Sequence, residues 1–146
     1  MIIETKNKTI NLVLKTRKIV DIANLLKNKN FEEVFIKAYS ILDIEALSKI
    51  IFKLAENENG ESAFTSSSEV YDFMDDCRAE GITISELYAK IAETLNNEGF
   101  FKKKMNKKEL KEITLNPLLM NTDKLLEKAV ENAANRVVEK EIMAQI

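Results

Sequence analysis

The hydrophobic residues of this chain first follow the period of a strand and then the period of a helix. Ile10, Leu12 and Leu14 alternate along residues 9–14, a spacing that is typical of a strand with one buried face. An apolar pair at residues 2–3 and a polar break at residues 6–8 precede them. Together they predict an antiparallel β-hairpin. Because an isolated hairpin is only marginally stable in water, its apolar face must pack on other elements.

The rest of the chain up to residue 100 carries apolar residues at helical spacing. Each stripe recurs at i, i+3, i+4 and i+7, which predicts an amphipathic helix with one buried face. The connections between most of these helices are short, so the helices should pack as neighbours. The predicted stripes span residues 19–26, 31–41, 47–54, 70–77 and 84–95.

Residues suited to capping stand at the predicted helix starts, where a side-chain oxygen can accept a hydrogen bond from a free backbone N–H. Ser66 with Glu69, and Thr83 with Glu86, have the spacing of a capping box. Gly81 can end the helix of residues 70–77, and Gly99 can end the helix of residues 84–95, each by adopting the left-handed conformation. The predicted caps are Thr16, Asn30, Asp43, Ser66 and Thr83.

The composition changes after Gly99. A lysine-rich run leads to a predicted short helix over residues 106–115, which Pro117 prevents from continuing. We predict an α+β fold that is mostly α. A short N-terminal β-hairpin packs on a bundle of about five helices, and a C-terminal helical arm follows. The expected divisions are a body over residues 1–100, a lysine-rich linker over 101–122 and a C-terminal helix over 123–146.

The composition argues against catalysis. The chain has no histidine, one cysteine and three glycines, whereas histidine is the usual general base and glycine-rich loops usually hold phosphates. Cys77 falls on an apolar stripe and is interpreted as a buried structural thiol. Asp72, Asp75 and Asp76 are interpreted as a solvated acidic face, because hard cations need several converging oxygens. We therefore predict no enzymatic activity, no cofactor and no bound metal.

The charge of the chain is nearly balanced, at −2. A general nucleic-acid binder is usually strongly basic, and no apolar run approaches the ~18 residues of a membrane span. We expect a cytoplasmic protein without a membrane partner. Lys15, Arg17 and Lys18 crowd the start of the first predicted helix, where cations are mildly unfavourable. They either contact an acidic or phosphate partner or have no particular role.

Six lysines lie between residues 102 and 111, after Phe100 and Phe101. Single-strand binders combine such a basic run with stacking aromatics. The run holds no arginine, and Glu109 and Glu112 dilute its charge. A solvated linker or helix face is the favoured interpretation, and nucleic-acid contact is the alternative.

The order of these segments resembles that of the tail assembly chaperones of phages and phage-like particles of low-GC Gram-positive bacteria. The resemblance covers residues 2–100. It implies a non-catalytic cytoplasmic protein that binds the tape-measure protein, the tail-tube protein or both, and that is not part of the mature particle. The segments that carry it are residues 10–15, 16–28, 31–35, 43–47 and 81–87.

A protein of this kind should expose apolar side chains to its client. Phe64 stands in a polar loop, Phe100 and Phe101 follow a helix stop, and the last predicted helix has an apolar face. Self-association is compatible with the same surfaces. The alternative functions are a small nucleic-acid-associated regulator that uses residues 102–111, or a structural tail component. The candidate partner-binding residues are Phe64, Phe100, Phe101, Leu126, Val130 and Val137.

Overall fold

The computed structural model describes residues 1–115, of which 58% are helical. This part of the chain forms six α-helices and a small three-stranded antiparallel sheet, so the predicted α+β, mostly α class is confirmed. The predicted C-terminal helix over 123–146 lies outside the described residues. The elements are β1 Ile2–Glu4, β2 Thr9–Leu12, α1 Thr16–Leu25, α2 Phe31–Ser40, α3 Ile44–Leu54, β3 Ala55–Glu56, α4 Ser67–Ala79, α5 Ile84–Asn97 and α6 Lys107–Leu115.

The hairpin formed by β1 and β2 is completed by a third strand that the sequence pattern did not predict. The strand order is β1-β2-β3, and both pairings are antiparallel. In β3, Ala55 pairs with Leu12 and Glu56 pairs with Asn11. A strand of two residues is too short to show a period, and only its position directly after α3 brings it to the hairpin.

Four of the five predicted helix caps are confirmed. In each, the side chain accepts a hydrogen bond from a backbone N–H. Asn30 accepts from the N–H of Glu33, and Asp43 accepts from that of Ala46. Thr83 and Glu86 form the complete capping box. Ser66 caps α4 as expected.

The remaining details of the helix starts differ from the prediction. Thr16 is not a cap, because α1 begins at Thr16 itself and the capping position is Lys15, which makes no side-chain cap. The carboxylate of Glu69 accepts from the N–H of Thr65 at 2.7 Å rather than from that of Ser66. Only half of the predicted box at Ser66 is therefore formed.

Two of the helix ends are strained. Gly81 and Gly99 follow α4 and α5 with φ of 88° and 81°, as predicted. The chain makes the same left-handed turn at Lys27 after α1 (φ 62°) and at Leu42 after α2 (φ 53°). For a residue with a Cβ this conformation costs about 1–2 kcal/mol. Both strained turns flank α2.

The core is centred on Phe35, which is fully buried in the middle of α2. Its ring lies 5.8 Å from that of Tyr88 and 6.1 Å from that of Phe101. Tyr39 stacks on Tyr88 at 5.3 Å, and the Tyr88 hydroxyl donates to the carbonyl of Asp43. The cluster therefore joins α2, α5 and the segment that follows α5.

Residues 101–115 pack against the rest of the described structure. Phe101 and Ile113 are buried. The side chain of Asn96 accepts from the N–H of Met105 and donates to its carbonyl, both at 2.8 Å. At the start of α6 the side chain of Asn106 accepts from the N–H of Glu109, and the carboxylate of Glu109 accepts from the N–H of Asn106. The described part of the expected linker is thus held on α2 and α5.

Candidate functional site: an apolar groove beside α2

An open groove of about 610 Å³ lies beside α2. The turn after α1, one side of α2 and the start of α3 line it, and Lys102 also contributes to the lining. The left-handed turns at Lys27 and Leu42 connect these three helices. The apolar part of the lining consists of Leu26, Val34, Ile36, Ala38, Ile41 and Ala46.

Three large apolar side chains are exposed at the turn between α2 and α3. Ile41 is 56% exposed, Leu42 is 36% exposed and Ile44 is 53% exposed. Ile41 also lines the groove. Scattered apolar residues on a surface need no explanation, but a contiguous group commonly marks an interaction site. A non-glycine residue held in the left-handed conformation within that group is a further feature of functional sites.

The sequence pattern placed Ile41 on the buried stripe of the second helix, and that prediction is wrong. The helix ends at Ser40, and Ile41 stands in the turn, where the backbone leaves the helical path. Two successive apolar residues, Ile41 and Leu42, directly before the helix cap Asp43 were the signal available in the sequence. A connection this short and this apolar is unusual for a solvated turn.

The acidic groups of the groove already have internal hydrogen bonds. The carboxylate of Glu32 accepts from the N–H of Lys102 at 2.5 Å. That of Glu33 accepts from the side-chain amide of Asn28, and that of Asp43 caps α3. All three stand at helix N-termini, whose partial positive charge offsets their own.

The basic groups of the groove are Lys27, Lys37 and Lys102, and all three are exposed. Within residues 1–115, the ion pairs closer than 4.0 Å involve other side chains. No carboxylate of the described residues therefore lies within 4.0 Å of these three ammonium groups.

The structure does not place the predicted aromatic contacts at this groove. Phe64 is only 2% exposed, so the expectation that it is an exposed contact is wrong. Its loop folds back on the sheet, where the N–H of Ala63 donates to the carbonyl of Ala55, and its ring packs on Phe73 at 5.7 Å. The ammonium of Lys8 lies 5.0 Å from the ring centre.

Phe101 is also buried, at 5% exposure, and the expectation that it is exposed is wrong for the same reason. It fills the aromatic cluster around Phe35. Phe100 is half-buried and packs against the core. The other predicted contacts, Leu126, Val130 and Val137, lie outside the described residues.

Two of the three cations at the start of α1 have a structural partner. Lys18 pairs with the carboxylate of Glu56 at 2.7 Å, and Lys15 pairs with it at 3.4 Å. The hydrogen bond from Lys18 is the main cause that lowers the pKa of Glu56. These two lysines therefore tie α1 to β3, which offsets their unfavourable position on the helix.

The acidic face of α4 holds the turn of the hairpin. The carboxylate of Asp76 accepts from the amide of Asn7 at 3.2 Å, and that of Glu80 accepts from the N–H of Lys6 at 2.7 Å. Asp75 pairs with Arg78. Across residues 1–115, no group of three or more histidine, cysteine, aspartate or glutamate side chains is placed to hold a metal ion. No helix in the described part is long and apolar enough to cross a membrane.

Cys77 is fully buried, as predicted. Burial, with Glu80 and Asp76 nearby, raises the pKa of its thiol from the ordinary 9.0 to about 11. We expect the folded protein to react with iodoacetamide at pH 8 at least roughly 100-fold more slowly than the urea-unfolded chain, because the thiolate is the nucleophile. Mass spectrometry of timed samples measures both rates, and equal rates would contradict a buried thiol.

The same shift predicts a pH dependence of stability. Because the pKa of Cys77 is higher in the folded state, the folded state binds more protons above pH 9. The contribution of the thiol is complete below pH 9 and is lost as the pH rises through about 11. The Cys77→Ala variant should lack this part of the decline in unfolding free energy.

Comparison of the chain with protein-family models, with curated proteins and with solved structures found no match. The resemblance to tail assembly chaperones therefore stays a prediction from the sequence.

Proposed function

We propose that the protein is a non-catalytic assembly chaperone that binds a helical segment of a client protein in the groove beside α2. The observation that carries this proposal is the exposed apolar turn of Ile41, Leu42 and Ile44, whose first residue lines an open groove. The resemblance of residues 2–100 supplies the clients, which are the tape-measure protein and the tail-tube protein of a phage or phage-like particle. The proposed setting is the host cytoplasm during tail assembly, outside the mature particle.

An amphipathic helix suits this groove for physical reasons. Such a helix lays one apolar stripe into an apolar groove and leaves its polar face in water. Each Å² of apolar surface removed from water contributes roughly 25 cal/mol, so a contact of one or two helical turns holds a client without making it permanent. A chaperone needs both properties, because it must cover the apolar stripe of its client and later release it.

The nucleic-acid alternative has one observation in its favour and one against it. Lys102, Lys103 and Lys104 are exposed. However, the burial of Phe101 removes one of the two aromatics that would stack on bases. Binding to nucleic acid must weaken steeply as salt is raised, which separates it from apolar client binding. A structural tail component would instead be found in purified particles.

The test is co-expression of this chain with a tape-measure protein and with a tail-tube protein. We expect wild-type protein to co-purify with one of them, and the double variant Ile41→Asp/Ile44→Asp to lose that client. The reason is that two carboxylates on the exposed turn would have to be desolvated against an apolar stripe. Recovery of the client in pull-downs measures the effect.

The matched control is Ile2→Asp, because Ile2 is 68% exposed and lies on β1, away from the groove. It should leave client recovery unchanged, and circular dichroism should show that all variants are folded. A folded double variant that still binds its client would place recognition elsewhere. Absence of any client with the wild type would overturn the proposed function.

A further inference from the structure

We infer that Asn59 is a site of spontaneous chemical modification, at which the backbone nitrogen of Gly60 converts the side-chain amide into a cyclic imide. Gly60 is one of three glycines in the sequence and the only one that follows an asparagine. Both residues lie exposed in the loop between β3 and α4. None of the residues that line the groove belongs to this loop, so the inference does not depend on the proposed function.

The reaction at Asn59 needs only the chain itself and water. The nitrogen of Gly60 loses its proton and bonds to the side-chain carbonyl carbon of Asn59, and the amide nitrogen of Asn59 leaves as ammonia. Water then opens the imide at either of its carbonyl carbons, so the product is an aspartate or an isoaspartate. Glycine hinders this attack least, because it has no Cβ beside its nitrogen. Every other asparagine of the chain precedes a residue that has one.

The loop holds the reacting pair in a tight turn. The N–H of Gly60 donates to the carbonyl of Asn57 at 3.0 Å, and the N–H of Asn57 donates to the carbonyl of Glu61 at 2.8 Å. Gly60 has a φ of 80°, in the left-handed region that glycine adopts readily. A turn that ends in a left-handed glycine is a common connection of a β-hairpin. Here it leads from Glu56 in β3 to Ser62, which bridges back to Glu56.

This turn restrains the reaction. The attacking nitrogen is the one whose N–H is held by the carbonyl of Asn57, so that hydrogen bond must break before the nitrogen can lose its proton. The side-chain oxygen of Asn57 also accepts from the N–H of Asn59 at 2.9 Å and from that of Glu61 at 3.1 Å. These bonds hold the turn closed on both sides of Gly60. Asn57 is therefore a positioning residue, and the rate of modification should follow the local opening of the turn.

Either product changes the loop. A new carboxylate at position 59 stands between the exposed carboxylates of Glu58 and Glu61, and like charges so close together repel. Isoaspartate also adds one carbon to the main chain before Gly60, which removes the geometry of the turn. The same loop carries the buried Phe64. Modification should therefore loosen the packing of this ring on α4.

The experiment follows the full chain at pH 8 by mass spectrometry of timed samples, both folded and unfolded in guanidinium chloride. Trypsin releases residues 54–78 as one peptide that contains Asn57 and Asn59. Fragmentation of this peptide separates the two, and Asn57, which precedes a glutamate, is the internal control. We expect conversion of Asn59 to aspartate and isoaspartate while Asn57 stays intact. Conversion should be roughly five- to tenfold slower in the folded chain, the effect of about one net hydrogen bond.

Four variants separate the chemistry from the turn. Asn59→Gln keeps an amide but would need a larger ring, so it should stay unmodified in both states. Gly60→Ala should slow conversion in the unfolded chain, where the strain of a left-handed alanine has no effect. Asn57→Ala should raise the folded rate towards the unfolded rate. The matched control Glu58→Gln changes an exposed neighbour and should leave the folded rate unchanged.

The results bear separately on the site and on the turn. No conversion of Asn59 in the unfolded chain, or conversion of Asn57 at the same rate, would disprove the site. Equal rates in the folded and unfolded wild type would disprove the restraint by the turn. Equal folded rates of Asn57→Ala and Glu58→Gln would show that the side chain of Asn57 does not hold it.

Discussion

Replacing Phe35 by alanine is expected to lower the free energy of unfolding by about 3–5 kcal/mol, the usual cost of removing a buried phenylalanine. The side chain is 0% exposed. Its ring lies within 6.1 Å of those of Phe31, Tyr39, Tyr88 and Phe101. These rings come from three parts of the chain, so the neighbours cannot all move in to fill the cavity. Because the total free energy of unfolding of a small domain is about 5–15 kcal/mol, the variant should be close to unfolding.

Urea unfolding followed by circular dichroism measures this loss. The matched control is Phe52→Ala, which removes the same atoms from a half-buried ring at the edge of the core. Its loss of unfolding free energy should be clearly smaller, because the half-buried ring contributes less buried apolar surface to the folded state. A loss below about 1 kcal/mol for Phe35→Ala would mean that the aromatic cluster is not the centre of the core.

Replacing Asn96 by alanine is expected to make local opening of residues 102–115 more frequent without unfolding the rest of the described structure. Asn96 is buried, and its side chain makes both hydrogen bonds of the Met105 backbone. Leaving such groups without partners costs about 1–3 kcal/mol each. The opening of this segment should therefore become roughly 10- to 100-fold more frequent.

Limited trypsin digestion measures this opening, because cleavage follows the open population when reclosing is fast. The cleavage rate after Lys102, Lys103 and Lys104 should rise in Asn96→Ala. The matched control is Asn97→Ala, its exposed neighbour in α5, which should be cleaved like the wild type. If the two variants are cleaved at the same rate, the side chain of Asn96 does not hold the segment.

Local signals in the sequence determined the fold class and most of the helix boundaries. Capping at Asn30, Asp43 and Thr83 depends on side chains within three residues of one another, so a sequence pattern can predict it. The glycine ends at Gly81 and Gly99 are local for the same reason. The buried thiol of Cys77 followed from the helical period of its neighbours.

Only the tertiary structure decided which apolar residues are free to bind a partner. Phe64 and Phe101 stand outside any helical stripe, yet both are buried. The loop that carries Phe64 and the segment that carries Phe101 each fold back on the core. Ile41 belongs to a helical stripe, yet the helix ends one residue earlier and leaves it exposed. Burial depends on contacts between residues far apart in the chain, which no local period encodes. The sequence by itself thus determined the elements of this protein, whereas packing between those elements determined its groove.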